Sequence, residues 1–149
     1  MSNVLVTGGV GFVGSEIVSQ SIERADSVSV LDLTKSENNN VESLTADLTD
    51  KKSVENALEN RQFDIIYHTA SFPGDTGDIR QMMGLNVNGL MNILDWARDN
   101  PVQMVVITGS ICSYGWYPAK EFMKPRYLPV DEEYPVQSKD IKDMYCATK

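Results

Sequence analysis

The stretch Thr7-Gly8-Gly9-Val10-Gly11-Phe12-Val13-Gly14 decides the fold of this chain. It follows a short apolar run, Val4-Leu5-Val6, that reads as a buried strand. It opens a segment from Gly11 to about Arg24 in which Phe12, Ile17, Val18 and Ile22 share one helical face. Gly9, Gly11 and Gly14 satisfy GxGxxG spacing, and Gly8, Gly11 and Gly14 satisfy GxxGxxG. Both patterns serve a tight turn, close backbone approach to a pyrophosphate and close packing of helix on strand. Free amides and the dipole at the helix N-terminus then favour phosphate charge. Asp32 lies 18 residues past Gly14 and closes a second strand, Val28-Ser29-Val30-Leu31-Asp32. That spacing suits a carboxylate on the adenosine ribose. Its charge opposes a 2′-phosphate, so the expected cofactor is NAD and not NADP.

Working outward, strands and helices alternate. Residues 34–40 are a polar loop, and a weak third strand covers Val41 to Ala46. Thr49 or Asp50 caps a helix through about Asn60, with Val54, Ala57 and Leu58 inward. Phe63 to His68 is a fourth strand and Ser71 to Asp78 a loop. A long helical pattern runs from Ile79 to about Asn100, where Pro101 ends it. Val102 to Thr108 is a fifth strand, and residues from Gly115 to about Ser138 are loop-like. Alternation with continuous apolar strands predicts an α/β domain over residues 1–149: a Rossmann-type parallel sheet of about five strands, with helices on both faces.

Composition sets the outer bounds. The chain has 149 residues, 42% of them apolar, so it has the material for a real core. Thirteen basic against 21 acidic residues give a formal charge of -8, which argues against nucleic-acid or anionic-membrane partners. Cys112 and Cys146 are too few for a disulfide scaffold and read as reduced, buried thiols of a cytoplasmic protein. No apolar run approaches the ~20 residues of a membrane-spanning helix, and with Met1-Ser2-Asn3 leading directly into a strand-like run no secretory signal is expected. His68 is the only histidine and has no Cys or carboxylate cluster with ligand spacing, so no metal site is expected.

TGGVGFVG closely resembles the TGGxGFIG fingerprint of the NAD-dependent epimerase/dehydratase family, within the extended short-chain dehydrogenases/reductases. The resemblance continues in order along the chain. Asp47-Leu48 resembles the family's GDL segment, whose Asp contacts adenine. His68-Thr69-Ala70-Ser71 resembles its HLAA stretch, which lines the cofactor. Leu85-Asn86-Val87-Asn88-Gly89 resembles the NVxGT helix motif, with Leu90 in place of Thr. The resemblance implies cofactor contacts from Gly8, Gly11, Phe12, Val13, Gly14, Asp32, Asp47, Leu48, Thr69, Ala70 and Asn86. Asn86 also reads either as a helix-face polar residue satisfied by backbone or, by the resemblance, as a structural residue behind the active site.

Tyr145-Cys146-Ala147-Thr148-Lys149 has Tyr-x-x-x-Lys spacing, which on a helix puts both side chains on one face. A phenol near a cation yields its proton more readily, as proton exchange with a substrate hydroxyl requires. In the family this Lys also holds the nicotinamide ribose, so Tyr145 and Lys149 are expected to touch the cofactor as well. Thr108 to Gly115 resembles the family's SSxxVYG segment, and counting back four from Tyr114 places Ser110 at the catalytic Ser/Thr. Leu128 to Glu133 resembles the P-x-x-E lead-in to the active-site helix. Ser113 and Lys142-Asp143-Met144 depart from the usual residues. Where dehydratases carry an Asp-Glu pair, this chain has Ile111 and Cys112, which disfavours water elimination.

The expected function is NAD-dependent oxidation or epimerisation at a secondary alcohol of a sugar or nucleotide sugar. Ser110, Tyr145 and Lys149 are the expected catalytic set. The rival expectation is a non-catalytic or truncated dinucleotide-binding module. The family continues past its Lys with more helix, at least one further strand and a substrate domain. The 149-residue chain alone is therefore expected to self-associate or to bind NAD weakly, with little turnover. The resemblance also implies homodimers through helices flanking the active site, one of them near Ile79 to Asn100.

Overall fold

The computed structural model describes residues 1–72, 78–114, 126–135 and 144–149. Five parallel strands, β1 (Asn3–Thr7), β2 (Ser27–Asp32), β3 (Glu42–Thr45), β4 (Ile65–His68) and β5 (Met104–Ile107), lie in the order β3-β2-β1-β4-β5. Helix α1 (Phe12–Glu23) joins β1 to β2, and α2 (Lys51–Ala57) joins β3 to β4. A third helical stretch runs from α3 (Ile79–Met82) through a π-helical segment (Met83–Gly89) into α4 (Leu90–Arg98). A 3₁₀ turn (Ile111–Tyr114) follows β5, and α5 (Met144–Ala147) is one turn long. Among the described residues no helix is long and apolar enough to cross a membrane.

The period of two along each strand divides the apolar side chains between two cores. Val4, Val6, Val28 and Val30 face α1, where Val18, Ile17 and Ile22 meet them. Leu5, Leu31, Leu44 and Ile66 face the other side, against Val54, Leu58, Ile93 and Trp96. Each fully buried Leu, Ile or Val contributes about 1.5–3 kcal/mol. This two-sided burial is why the strands read as continuous apolar runs. Phe63 joins the second core with its ring 5.8 Å from that of Trp96, although β4 itself starts only at Ile65.

Coverage on both faces does not extend to β5. Met104 is 55% exposed, and Val106 and Ile107 are exposed as well. Among the described residues β5 is an edge strand, and only its Val105 packs against the second core. The long helix also departs from expectation, because seven of its residues wind as a π-helix. Apolar periodicity cannot register the added residue per turn, and such segments are frequent at functional sites. Cys112 is buried as expected, but Cys146 is only half-buried, because α5 is a single turn with one side open. The segment from Gly115 to Ser138 falls largely outside the described residues, as do Lys142 and Asp143.

The end of α1 carries a local mismatch. The Asp26 amide donates to Ser21 O (3.1 Å) and the Ala25 amide to Ile22 O (2.8 Å), the double bond of a Schellman motif. Ala25 sits at its left-handed position with φ 60, where glycine is favoured. Ala25→Gly should raise stability by about 1 kcal/mol, read as a higher urea midpoint at unchanged slope.

Candidate functional site

The C-terminal ends of β1 and β4 form the switch point of the sheet, from which the chain departs in opposite directions. A cavity of about 770 Å³ opens there. Its walls include Gly8 and Gly11 after β1, Asp32 at the end of β2, Asp47 and Leu48 after β3, and Thr69 and Ala70 after β4. Seven of the sequence-predicted cofactor residues therefore converge on one space. Gly8 has φ +71, and a Cβ there would lie 2.6 Å from the Ala70 nitrogen. A Cβ on Gly14 would lie 2.2 Å from Gly8 O and 2.7 Å from Thr69 Oγ1. Thr69 braces the turn by donating from its hydroxyl to Thr7 O at 2.7 Å.

Helix α1 starts at Gly11 with no side-chain cap, which leaves its first amides to an external acceptor. Phe12 and Val13 are 95% and 52% exposed, so their side chains stand outside the cavity and backbone amides are what they can offer. Asp32 accepts from Val10 N at 3.2 Å and Thr34 N at 3.4 Å. Asp47 accepts from the amide and hydroxyl of Thr49 at 2.8 and 2.7 Å. Glycine turn, open amides and a carboxylate at the end of β2 fit a dinucleotide.

The second constellation lies beside this cavity. Ser110 precedes the 3₁₀ turn, and its Oγ accepts from Cys112 N at 3.2 Å, which leaves the hydroxyl proton to be donated elsewhere. Lys149 Nζ lies 5.9 Å from the centre of the Tyr145 ring and donates to Thr108 O at 3.4 Å. Burial holds the Lys149 ammonium below its usual pKa. The two side chains do not share a helix, however. α5 ends at Ala147, Thr148 N donates to Tyr145 O (3.0 Å), and Lys149 lies two residues past the helix.

Asn86 does not line the cavity. It is buried within the π-helical segment, where its Oδ1 accepts from Phe72 N (2.6 Å) and its Nδ2 donates to Thr148 Oγ1 (2.9 Å). Thr148 in turn donates to Tyr145 O at 2.9 Å. Asn86 thus joins the cavity wall at Phe72 to the Tyr145–Lys149 segment, the structural alternative its motif allowed. Thr148 has no place in the motif arithmetic and becomes visible only through this bond. Tyr134 carries no motif signal either: its buried ring meets Tyr114 edge-on at 5.6 Å and Tyr127 at 5.0 Å. The carboxylate of Asp131 accepts from the Tyr127 hydroxyl at 2.7 Å and pushes that phenol up to about 12.

The sequence profile of the NAD-dependent epimerase/dehydratase family matches residues 4–140. The chain belongs to that family. A putative UDP-glucose 4-epimerase of Methanocaldococcus jannaschii is 32% identical over 142 residues, which span 89% of this chain and 44% of that protein. A crystal structure of UDP-galactose 4-epimerase superposes with a TM-score of 0.78 at 29% identity, covering 99% of this chain and 48% of the other. The UDP-glucose 4-epimerase of Thermus thermophilus in complex with NAD gives 0.77 at 29% identity, covering 99% and 47%. The chain thus spans just under half the length of these relatives. As an epimerase/dehydratase-family domain it has the fold that its glycine stretch predicts, and the cofactor of the family is NAD.

His68 occupies the end of β4 beneath this site, 3% exposed, its Nδ1 2.8 Å from Thr7 Oγ1. Burial, with the positive charge of Lys149 second, holds its pKa down at about 4 against an ordinary 6.5. The ring is therefore neutral at pH 7 and packs as a structural residue, not as a general base. Between pH 6.5 and 4 the unfolded chain takes up a proton that the folded chain refuses. Stability should therefore fall on acidification through that window, by about 3 kcal/mol in total. Urea unfolding of wild type and His68→Gln from about pH 7 to 4 checks this. The wild type should lose more stability than the variant, and parallel curves would refute it.

Proposed function

We propose that this chain carries the NAD site and the proton-transferring edge of an enzyme that oxidises or epimerises a secondary alcohol of a sugar or nucleotide sugar. One observation carries the reading: the glycine-walled cavity with open α1 amides is bonded, through Phe72, Asn86 and Thr148, to the segment bearing Tyr145 and Lys149. The cavity takes the dinucleotide, with its pyrophosphate on the amides of Phe12, Val13 and Gly14 and its adenosine ribose on Asp32. Asp47, Leu48, Thr69 and Ala70 complete the walls. NAD, when bound, supplies a hydride acceptor at the nicotinamide C4.

The chain's own residues handle the proton. Ser110 donates its hydroxyl hydrogen to the reacting oxygen of the substrate and holds it in place. Tyr145 removes the hydroxyl proton as the carbinol hydrogen departs as hydride, and Lys149 supports the phenolate from over its ring. Return of hydride and proton to the opposite face yields an epimer, whereas release of NADH yields a ketone or lactone. Ile111 and Cys112 carry no acid or base for elimination, so dehydration is disfavoured. The relatives named as UDP-glucose 4-epimerases favour a UDP-hexose as substrate. A homodimer through the helical stretch Ile79–Arg98, whose Met83 and Met91 are exposed, fits the same reading.

The test is NAD titration of the chain by calorimetry, followed by turnover of UDP-glucose, UDP-galactose and uronic acids by the full-length protein. Saturable NAD binding with epimer or NADH formation supports the proposal. A chain that does not bind NAD, or a full-length protein inert on all of them, overturns it.

A further inference from the structure

We infer that Arg80 supplies the side-chain counter-charge for the pyrophosphate of the dinucleotide, an inference that rests on the NAD site proposed above. Arg80 lines the cavity, and its backbone is held by a bond from its amide to Asp78 Oδ1 at 3.1 Å. Arg24, Arg61 and Arg98 each pair with a carboxylate, whereas the guanidinium of Arg80 makes no ion pair among the described residues. The two carboxylates of the cavity, Asp32 and Asp47, are already engaged by nearby backbone amides. Among the described residues Arg80 is thus a cation without a counter-ion, on the wall of a cavity in a chain of formal charge -8.

The charge balance asks for such a group. A pyrophosphate bridge brings two negative charges, and a helix N-terminus returns only about half of one. Acidic surroundings would repel the remainder. Guanidinium matches phosphate oxygens in a bidentate fork and stays charged at every working pH. Position selects the pyrophosphate over other anions. One turn on from Arg80, Gly84 sits beside Thr49, since a Cβ there would lie 3.7 Å from its methyl group. Ser71 and Phe72 wall the same cavity, together with Thr69 and Gly8. Arg80 shares this cavity with Gly8 and Gly11 of the glycine turn and with the Asp47–Thr49 wall. A 2′-phosphate would meet Asp32. A substrate carboxylate would lie toward Ser110 and Tyr145, neither of which lines this cavity.

Calorimetric titration of wild type, Arg80→Gln and Arg80→Lys with NAD, ADP, NADP and adenosine tests this, with circular dichroism confirming that both variants fold. Arg80→Gln should weaken NAD and ADP about tenfold and leave adenosine unchanged, Arg80→Lys should recover part of the loss, and added salt should narrow the gap. NAD affinity unchanged in Arg80→Gln overturns the inference and leaves the NAD site standing. So does an equal loss for adenosine, which would mark a packing role, or a loss confined to NADP. A wild-type chain that binds no NAD overturns the proposed function, and the inference with it.

Discussion

Replacing Tyr145 with Phe should lower turnover of the full-length protein about a thousandfold while NAD affinity stays within about twofold. The substitution removes one oxygen and keeps the ring, so Lys149 retains the face over which its ammonium sits at 5.9 Å. Positioned proton transfer contributes roughly 10²- to 10⁴-fold, and that contribution is what disappears. The cavity proposed for the cofactor is walled by other residues, so NAD affinity should have little to lose. Steady-state kinetics paired with NAD titration separates the two effects. A variant that turns over within about tenfold of wild type removes Tyr145 from the mechanism, and one that loses NAD binding in parallel assigns the residue to the cofactor instead.

Gly14→Ala should destabilise the domain by about 2 kcal/mol and weaken NAD more than about tenfold. Alanine in a helix normally gains about 1 kcal/mol over glycine, so propensity alone predicts the opposite sign. The added methyl would stand 2.2 Å from Gly8 O, a backbone atom that no rotamer change can move aside. Overpacking of this kind costs about 1–3 kcal/mol, and the helix must swing away from the turn to relieve it. That swing takes the first amides of α1 away from the phosphate. Gly84→Ala is the control, since its methyl would meet only the Thr49 side chain at 3.7 Å, an ordinary contact. Thermal melts should show a fall of several degrees for Gly14→Ala and little change for Gly84→Ala. A Gly14→Ala protein as stable as wild type would contradict the packing described for α1.

Much of the fold was legible because local rules and global packing agree in its first half. Val4–Val6 and Val28–Leu31 are apolar on both faces because two cores claim them, and the glycine stretch between them admits few other structures. The convergence of the predicted residues on one cavity was legible for the same reason: each lies at the end of a strand whose position the parallel sheet dictates. Legibility fell where a residue acts through distant partners. Asn86 carries no mark in the sequence that distinguishes cofactor contact from a bond to Phe72 and Thr148. The π-helical turn that buries it preserves the apolar pattern of an ordinary helix. Tyr134 finds its ring partners at Tyr114 and Tyr127, and edge-on aromatic contact has no period to read. The spacing of Tyr145 and Lys149 was visible, and the ammonium stands 5.9 Å from the ring centre although Lys149 lies past α5.

The two bonds of Asn86 also have a thermodynamic meaning. One amide group serves both the cavity wall at Phe72 and, through Thr148, the segment of Tyr145. Coupled sites act on each other equally. On the function proposed above, free energy that a dinucleotide gains by firming the Phe72 wall should reappear as order in the segment of Tyr145. Any partner element that steadies that segment tightens the dinucleotide by the same factor. On that proposed function, affinity for the cofactor and readiness for proton transfer would be two readings of one equilibrium.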